Sequence, residues 1–242
     1  MRLRDFEIAE VGDVSGKDLL HLQCHFGIDT LSWARLGARV TGADLSEEAI
    51  ALARRVAEET ELDATFVQSN IFELPEVLER DFDIVYTSRG VLGWLPDMTA
   101  WAEVVSHFIR PGGVFYIHEA HPVMMALDEE SEEIRFGYPY FTTEEPLAFP
   151  GGASYADPTV PVETDAVEYG WNHSLGEIVT ALAQAGLHIE FLHERTDLDW
   201  EVRFLEPAGE GLWKMPQRYD GMIPLSFSLR ASKPLSFARQ FE

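Results

Sequence analysis

Residues 19–38 read LLHLQCHFGIDTLSWARLGA. An apolar run, LLHL, breaks at the short loop QCHFG and resumes as a helical pattern ending in Gly37, a fitting residue just past a helix C-terminus. A strand, a tight turn and a helix in that order are the usual cradle of a nucleotide-like cofactor. The loop carries one glycine, Gly27, where such cradles ordinarily have several.

The same alternation continues along the chain. Residues 18–22 read as the first strand and 28–36 as the helix after it. Residues 39–43 form a second strand, and Ser46 is placed to cap a helix over 47–59 that has two acids in its first turn. Strands are expected at 64–68, 83–87 and 114–118, the fourth rich in β-branched and aromatic residues. Asp97 is placed to cap a helix to about 109, and RPGG at 110–113 reads as a turn. Repeated units of this length imply a parallel sheet with helices on both faces. Residues 120–171 break the pattern with aromatics and prolines, as in YPYFTTEEPLAFPGG, and read as a functional insertion of the lid kind. SLGE at 174–177 is a capping-box sequence opening a helix that ends near Gly186. Strands at 187–194 and 225–231, joined by a long irregular segment, suit a late antiparallel pair.

Composition narrows the function. The 242 residues suffice for a full core, and the whole chain reads as a single domain, 1–242, elaborated by the insertion. No apolar run approaches the roughly 20 residues needed to cross a membrane. The start, MRLRDFEIAE, lacks the apolar stretch of a secretory signal, and Cys24 is the only cysteine, which excludes an intramolecular disulfide. A cytoplasmic protein is expected. A net charge of -24 repels phosphate backbones and makes nucleic acid a poor partner. The acidic run LDEESEEI reads as a solvated face or mobile segment.

In an open parallel sheet, ligands bind beyond the carboxyl ends of the strands. The loop 23–27 then lies under the ligand. Asp44, ending the second strand in VTGADLS, is placed to accept both hydroxyls of a ribose through charge-assisted hydrogen bonds. Asn70, ending the third in VQSNIF, is placed to bond an adenine amino group, with Ile71 on the ring face. YTSRGVL, ending the fourth, runs past the middle of the ligand.

These segments, with FVQSNIFELP, FDIVYTSRGVLGWLPD and RPGGVFYIHEA, resemble the class I S-adenosylmethionine-dependent methyltransferase family over about 18–121 and again over 172–231. In detail the chain is similar to a bacterial small-molecule subgroup whose first motif itself has the HLQCHFG form. The resemblance implies a doubly wound α/β fold, a mostly parallel seven-stranded Rossmann-like sheet with a lid after strand 5. It implies S-adenosylmethionine as cofactor and a small-molecule acceptor. On the matching positions it implies cofactor contacts from Gln23, Cys24, His25, Gly27, Asp44, Leu45, Asn70, Ile71 and Ser88. The family's usual first motif is an acidic residue followed by three alternate glycines, and those places here hold His21, Gln23, His25 and Gly27. The cofactor has no pyrophosphate, so bare backbone around phosphates is not required. Gln23 and His25 offer side-chain hydrogen bonds to its amino-acid end instead. Relatives also carry a longer N-terminal helix over the cofactor. With the first strand only about eighteen residues from Met1, a more open site is expected.

Family chemistry is in-line attack on a sulfonium methyl, for which alignment is the main catalytic term. A base is needed only for a nucleophile that must lose a proton. The candidates are His121 and His173, then Glu119, from HEAHP and WNHS, although a histidine near a strand end is more often a structural hydrogen-bonder. Trp94, Tyr138, Tyr140, Phe141, Phe149, Tyr155 and Trp171 are candidates for an aromatic pocket under the lid, about half of them expected merely to pack. His21 and His25 straddle a strand and a turn, and HEAH lacks the spacing of a helical zinc site, so no metal is expected. Two other readings stay open. One is a non-catalytic binder of S-adenosylmethionine or S-adenosylhomocysteine. The other is a nicotinamide dehydrogenase, opposed by the absence of GxGxxG.

Overall fold

The computed structural model describes residues 3–150 and 167–235. In chain order the elements are α1 (Asp5–Val11), β1 (Asp18–Leu22), α2 (Ile28–Arg35), β2 (Arg39–Asp44), α3 (Glu47–Glu59), β3 (Ala64–Gln68), α4 (Leu74–Val77), β4 (Phe82–Ser88), α5 (Met98–Phe108), β5 (Ile109–Ala120) and α6 (Pro122–Met125). There follow β6 (Leu147–Pro150), β7 (Val167–Gly170), α7 (Leu175–Gln184), β8 (His188–Arg195), β9 (Asp197–Leu198), β10 (Glu206–Gly209), β11 (Leu212–Lys214) and β12 (Ser226–Ser232).

Seven strands form one sheet in the order β3-β2-β1-β4-β5-β12-β8. All neighbours are parallel except β12, which runs antiparallel to both β5 and β8. The chain moves outward from β1 to β3, then returns to lay β4 on the other side of β1. The switch point therefore falls between β1 and β4, where a ligand crevice opens beyond the strand ends. This is the doubly wound sheet expected from the sequence.

Strand alternation divides the core in two. Leu20, Leu22, Val85, Phe115, Ile117 and Leu229 face α5 and α7, where they meet Trp101, Phe108 and Leu182. Leu19, Ile84, Tyr86 and Tyr116 face the opposite way, onto Val11 of α1 and Trp33 of α2. Ser46 caps α3 by accepting from Ala49 N–H at 3.1 Å, and Asp97 caps α5 by accepting from Thr99 and Ala100.

Three local expectations are corrected, and one helix is added. RPGG at 110–113 is not a separate turn; it lies within β5, where the register against β4 shifts between Phe82 and Ile84. The capping box at 174–177 closes on one side only. Ser174 accepts from Glu177 N–H, while the Glu177 carboxylate is taken by the Thr142 hydroxyl. The link between β8 and β12 is not irregular: β10, β11 and β9 form a small antiparallel sheet in that order. Its strands are short and largely exposed, so they lack the alternation that marks a strand in sequence. The N-terminal segment forms α1, a short helix with Glu7 fully buried.

Candidate functional site

The first loop keeps the backbone of a glycine loop without the glycines. Gln23 and His25 both sit in left-handed conformations, with φ of +55° and +50°, and Gly27 follows at +77°. A side chain in that region costs about 1 kcal/mol or more. Three bonds offset it: Cys24 N–H to Ala43 O at 2.9 Å, His25 N–H to Asp44 Oδ2 at 2.7 Å, and Gln23 Nε2–H to Val91 O at 3.2 Å. Gly27 has a second reason to be glycine. A Cβ there would lie 2.7 Å from the Phe66 ring, which also fills the space over Gly42.

The tips of the first four strands are tied together. Asp44, at the end of β2, takes His25 N–H on Oδ2 and Ser46 N–H at 2.9 Å on Oδ1. Each oxygen retains a further lone pair. Ser69 N–H reaches Asp44 O, and Gln68 Nε2–H reaches Leu45 O at 3.1 Å, joining β3 to β2. The Leu45 side chain is 64% exposed beside this carboxylate. Asn70 turns its Oδ1 to Phe72 N–H, while Ile71 is buried in the main core. Gln23 Oε1 is buried without a hydrogen-bond partner among the described residues. The Cys24 side chain is buried against Gly42 and Phe66, and burial pushes its thiol pKa up, so it offers packing rather than a reactive sulfur.

Beneath the loop lies a buried polar network. His21 bonds Thr30 Oγ1 through Nδ1 at 2.8 Å and Ser88 Oγ through Nε2 at 3.2 Å; Ser88 in turn donates to Asp29. Burial, aided by the positive charge of Arg89, lowers the His21 pKa to about 3 and keeps the ring neutral. Arg89, directly after β4, gathers carboxylates from three parts of the chain: Glu7 at 2.5 Å, Asp199 at 2.9 Å and Asp29 at 3.6 Å. Burial acts to raise the Glu7 pKa, but His118, 3.6 Å away, and the Arg89 charge outweigh it and hold the carboxyl near 2. Arg4 pairs with Asp197 and Asp199 from the other side. Sequence reading missed this cluster because its members are far apart in the chain; a charged residue at a strand tip, Arg89, was the one local signal.

The three candidate bases lie apart in structural roles. Glu119 is buried, and its carboxylate accepts from four backbone N–H groups, those of Gly90, Val91, Leu92 and Ala120. His121 caps α6 by accepting Val123 N–H on Nδ1, and its Nε2 lies 3.0 Å from Glu194 Oε1. Desolvation lowers the His121 pKa against the pull of Glu194. His173 is buried between Leu95 O, 2.7 Å from Nε2, and Thr142 Oγ1, 3.1 Å from Nδ1. Nε2 must donate to the carbonyl, which fixes the tautomer.

Of the candidate pocket aromatics, Trp94 and Phe141 are exposed, Tyr138 packs on Phe149 at 4.9 Å, and Tyr140 accepts Leu175 N–H. Trp171 N–H reaches Gly93 O, and Tyr155 lies outside the described residues. No helix among the described residues is long and apolar enough to cross a membrane.

Comparison with known proteins agrees with this fold. Residues 20–115 match the family model described as a methyltransferase domain. A ubiquinone biosynthesis O-methyltransferase of Photorhabdus laumondii is 36% identical over 106 residues, covering 43% of this chain and 44% of that protein. The chain thus aligns with less than half the length of this curated relative. An S-adenosylmethionine dependent methyltransferase structure from Mesorhizobium loti superposes with a TM-score of 0.63 at 20% identity, covering 93% of this chain and 95% of that one. One from Methanosarcina mazei gives 0.63 at 20% identity, covering 97% and 100%. At such identities the structural likeness speaks for the fold.

Proposed function

We propose that this chain is a class I S-adenosylmethionine-dependent methyltransferase that transfers a methyl group to a small-molecule acceptor by in-line attack on the sulfonium methyl. The observation that carries the reading is the joined set of strand tips at the switch point. The donor set there fits the cofactor: an acidic side chain with free lone pairs, an exposed leucine beside it, and a buried glutamine oxygen lacking a partner. When bound, the cofactor supplies an electrophilic methyl. The chain's own part is to hold and align.

Asp44 takes the ribose hydroxyls while still accepting His25 N–H. Leu45 covers one face of the adenine. Asn70 and Ile71 border it. Gln23, His25 and the backbone of Cys24 and Gly27 receive the amino-acid end, over a floor that includes Ser88. Glu119 and His173 are committed to protein partners, and His121 is held by its cap on α6 with Nε2 facing Glu194 without a hydrogen bond, so alignment stands as the main term. Residues 120–171 serve as the lid that selects the acceptor. The family-model match ends at residue 115, so the acceptor of the ubiquinone-pathway relative is not carried over. We place the protein in the cytoplasm, supported by its lone buried cysteine, and expect no nucleic-acid partner at a net charge of -24.

The full hydrogen bonding of Glu119 and His173 favours one second reading, a protein that binds the cofactor without turnover. The test is release of S-adenosylhomocysteine across a panel of phenols, amines and thiols. Turnover of any member supports transfer; tight cofactor binding with no turnover throughout favours the binder.

A further inference from the structure

We propose that Glu119 is a positioning residue for the site: its carboxylate sets the course of segment 90–95, the wall between the cofactor loop and the lid. The proposal rests on the reading of loop 23–27 as the cofactor cradle.

Alternation along β5 sends His118 to the Arg89 cluster and Glu119 to the opposite side. There Oε1 accepts Gly90 N–H at 2.5 Å and Ala120 N–H at 2.8 Å, while Oε2 accepts Val91 N–H at 2.9 Å and Leu92 N–H at 3.3 Å. A carboxylate has about four acceptor positions, so the group is saturated. Successive backbone N–H groups converging on one anion form a nest, here filled by the protein itself. A nest filled from within fixes the backbone around it.

What that backbone touches gives the arrangement its meaning. Val91 O accepts the Gln23 side-chain amide, which sits on the strained first loop. Gly93 O accepts Trp171 N–H at 2.8 Å, and β7 approaches so closely that a Cβ on Gly170 would lie 2.7 Å from that carbonyl. Leu95 O takes His173 Nε2 at 2.7 Å, just before α7. Between these contacts Trp94 stands 49% exposed. Carbonyls of the segment thus hold the cofactor loop and the end of the insertion, while its first three N–H groups are held by Glu119 and those of Trp94 and Leu95 close back on Val91 O and Leu92 O.

A merely structural Glu119 would lower stability without selecting a route. A positioning Glu119 acts on the cofactor loop through the Val91 carbonyl and Gln23. The test measures S-adenosylhomocysteine affinity by calorimetry and backbone amide exchange by mass spectrometry in Glu119→Gln, Glu119→Asp, Gln23→Ala and the Glu119→Gln/Gln23→Ala double variant. Glu119→Gln is expected to weaken binding about fivefold and to add almost nothing in the Gln23→Ala background. Exchange is expected to quicken at 90–95 and 167–173 but not in β1 or β2, with Glu119→Asp partly restoring both readouts. Independent, multiplying effects of Glu119→Gln and Gln23→Ala would overturn the route through Val91. Unchanged exchange at 90–95 would overturn the positioning role itself. A wild-type protein that fails to bind the probe, yet shows the exchange change in Glu119→Gln, supports the setting of the segment and rejects the cofactor reading.

Discussion

Asp44 Oδ2 accepts the backbone N–H of His25 at 2.7 Å, bridging the tips of β2 and β1. One carboxylate therefore holds the shape of the first loop and is proposed to hold the ribose. Asp44→Ala should weaken S-adenosylhomocysteine binding at least about tenfold, the equivalent of one good hydrogen bond. It should also lower stability by about 1–2 kcal/mol, since two amide N–H groups lose their acceptor. Calorimetry and urea unfolding separate the effects. Unchanged affinity would remove Asp44 from the ribose role.

The left-handed residues of the loop make a second prediction. His25 is exposed at φ +50°, so His25→Gly should raise stability by about 0.5–1 kcal/mol. His25→Val should lower it by more than about 1 kcal/mol, because a β-branched side chain tolerates that region poorly. Equal urea midpoints for the two variants would show that the loop does not hold this conformation in solution.

His21 gives a pH dependence. Its pKa near 3 lies below the ordinary 6.5, so between those values the unfolded chain binds the extra proton. Stability then rises with pH across that window and falls on acidification, by up to about 1.4 kcal/mol per pH unit for one proton. Thermal melts from pH 7 to 5 should show the decline, and His21→Asn should flatten it whatever its starting stability. An equally steep decline in the variant would assign the effect to other groups.

Arg89 is the centre of a buried set of charged contacts. Arg89→Met should destabilise the fold by about 3–5 kcal/mol, because Glu7, Asp29 and Asp199 then lose their shared cation. Glu7→Gln should cost less, since Arg89 keeps two partners. Chemical denaturation of both variants checks the order; a milder Arg89→Met would show the cluster to be solvated.

The sheet was legible because its signals are local. The alternation of residues 18–22, the cap at Ser46 before α3 and the cap at Asp97 before α5 each report on neighbours in the chain. The site was legible only in part. Strand tips such as Asp44 follow from topology, but the partners that decide a side chain's role lie far away in sequence. Glu119 sits where a base is plausible, and its saturation by Gly90, Val91 and Leu92 N–H depends on the β4–β5 pairing. The same holds for Glu7 and Asp199, brought together by Arg89, Arg4 and His118. QCHFG has one glycine where such cradles ordinarily have several, and in the structure Gln23 and His25 take left-handed conformations with their side chains in place.

The central claim is that this glycine-poor loop is a working cradle for S-adenosylmethionine. Isothermal titration of the wild-type protein with S-adenosylhomocysteine tests it most directly. The account predicts one-to-one binding with a dissociation constant on the order of micromolar, about 8 kcal/mol of binding free energy. Absence of binding up to about 1 mM ligand, in protein shown to be folded, would contradict it.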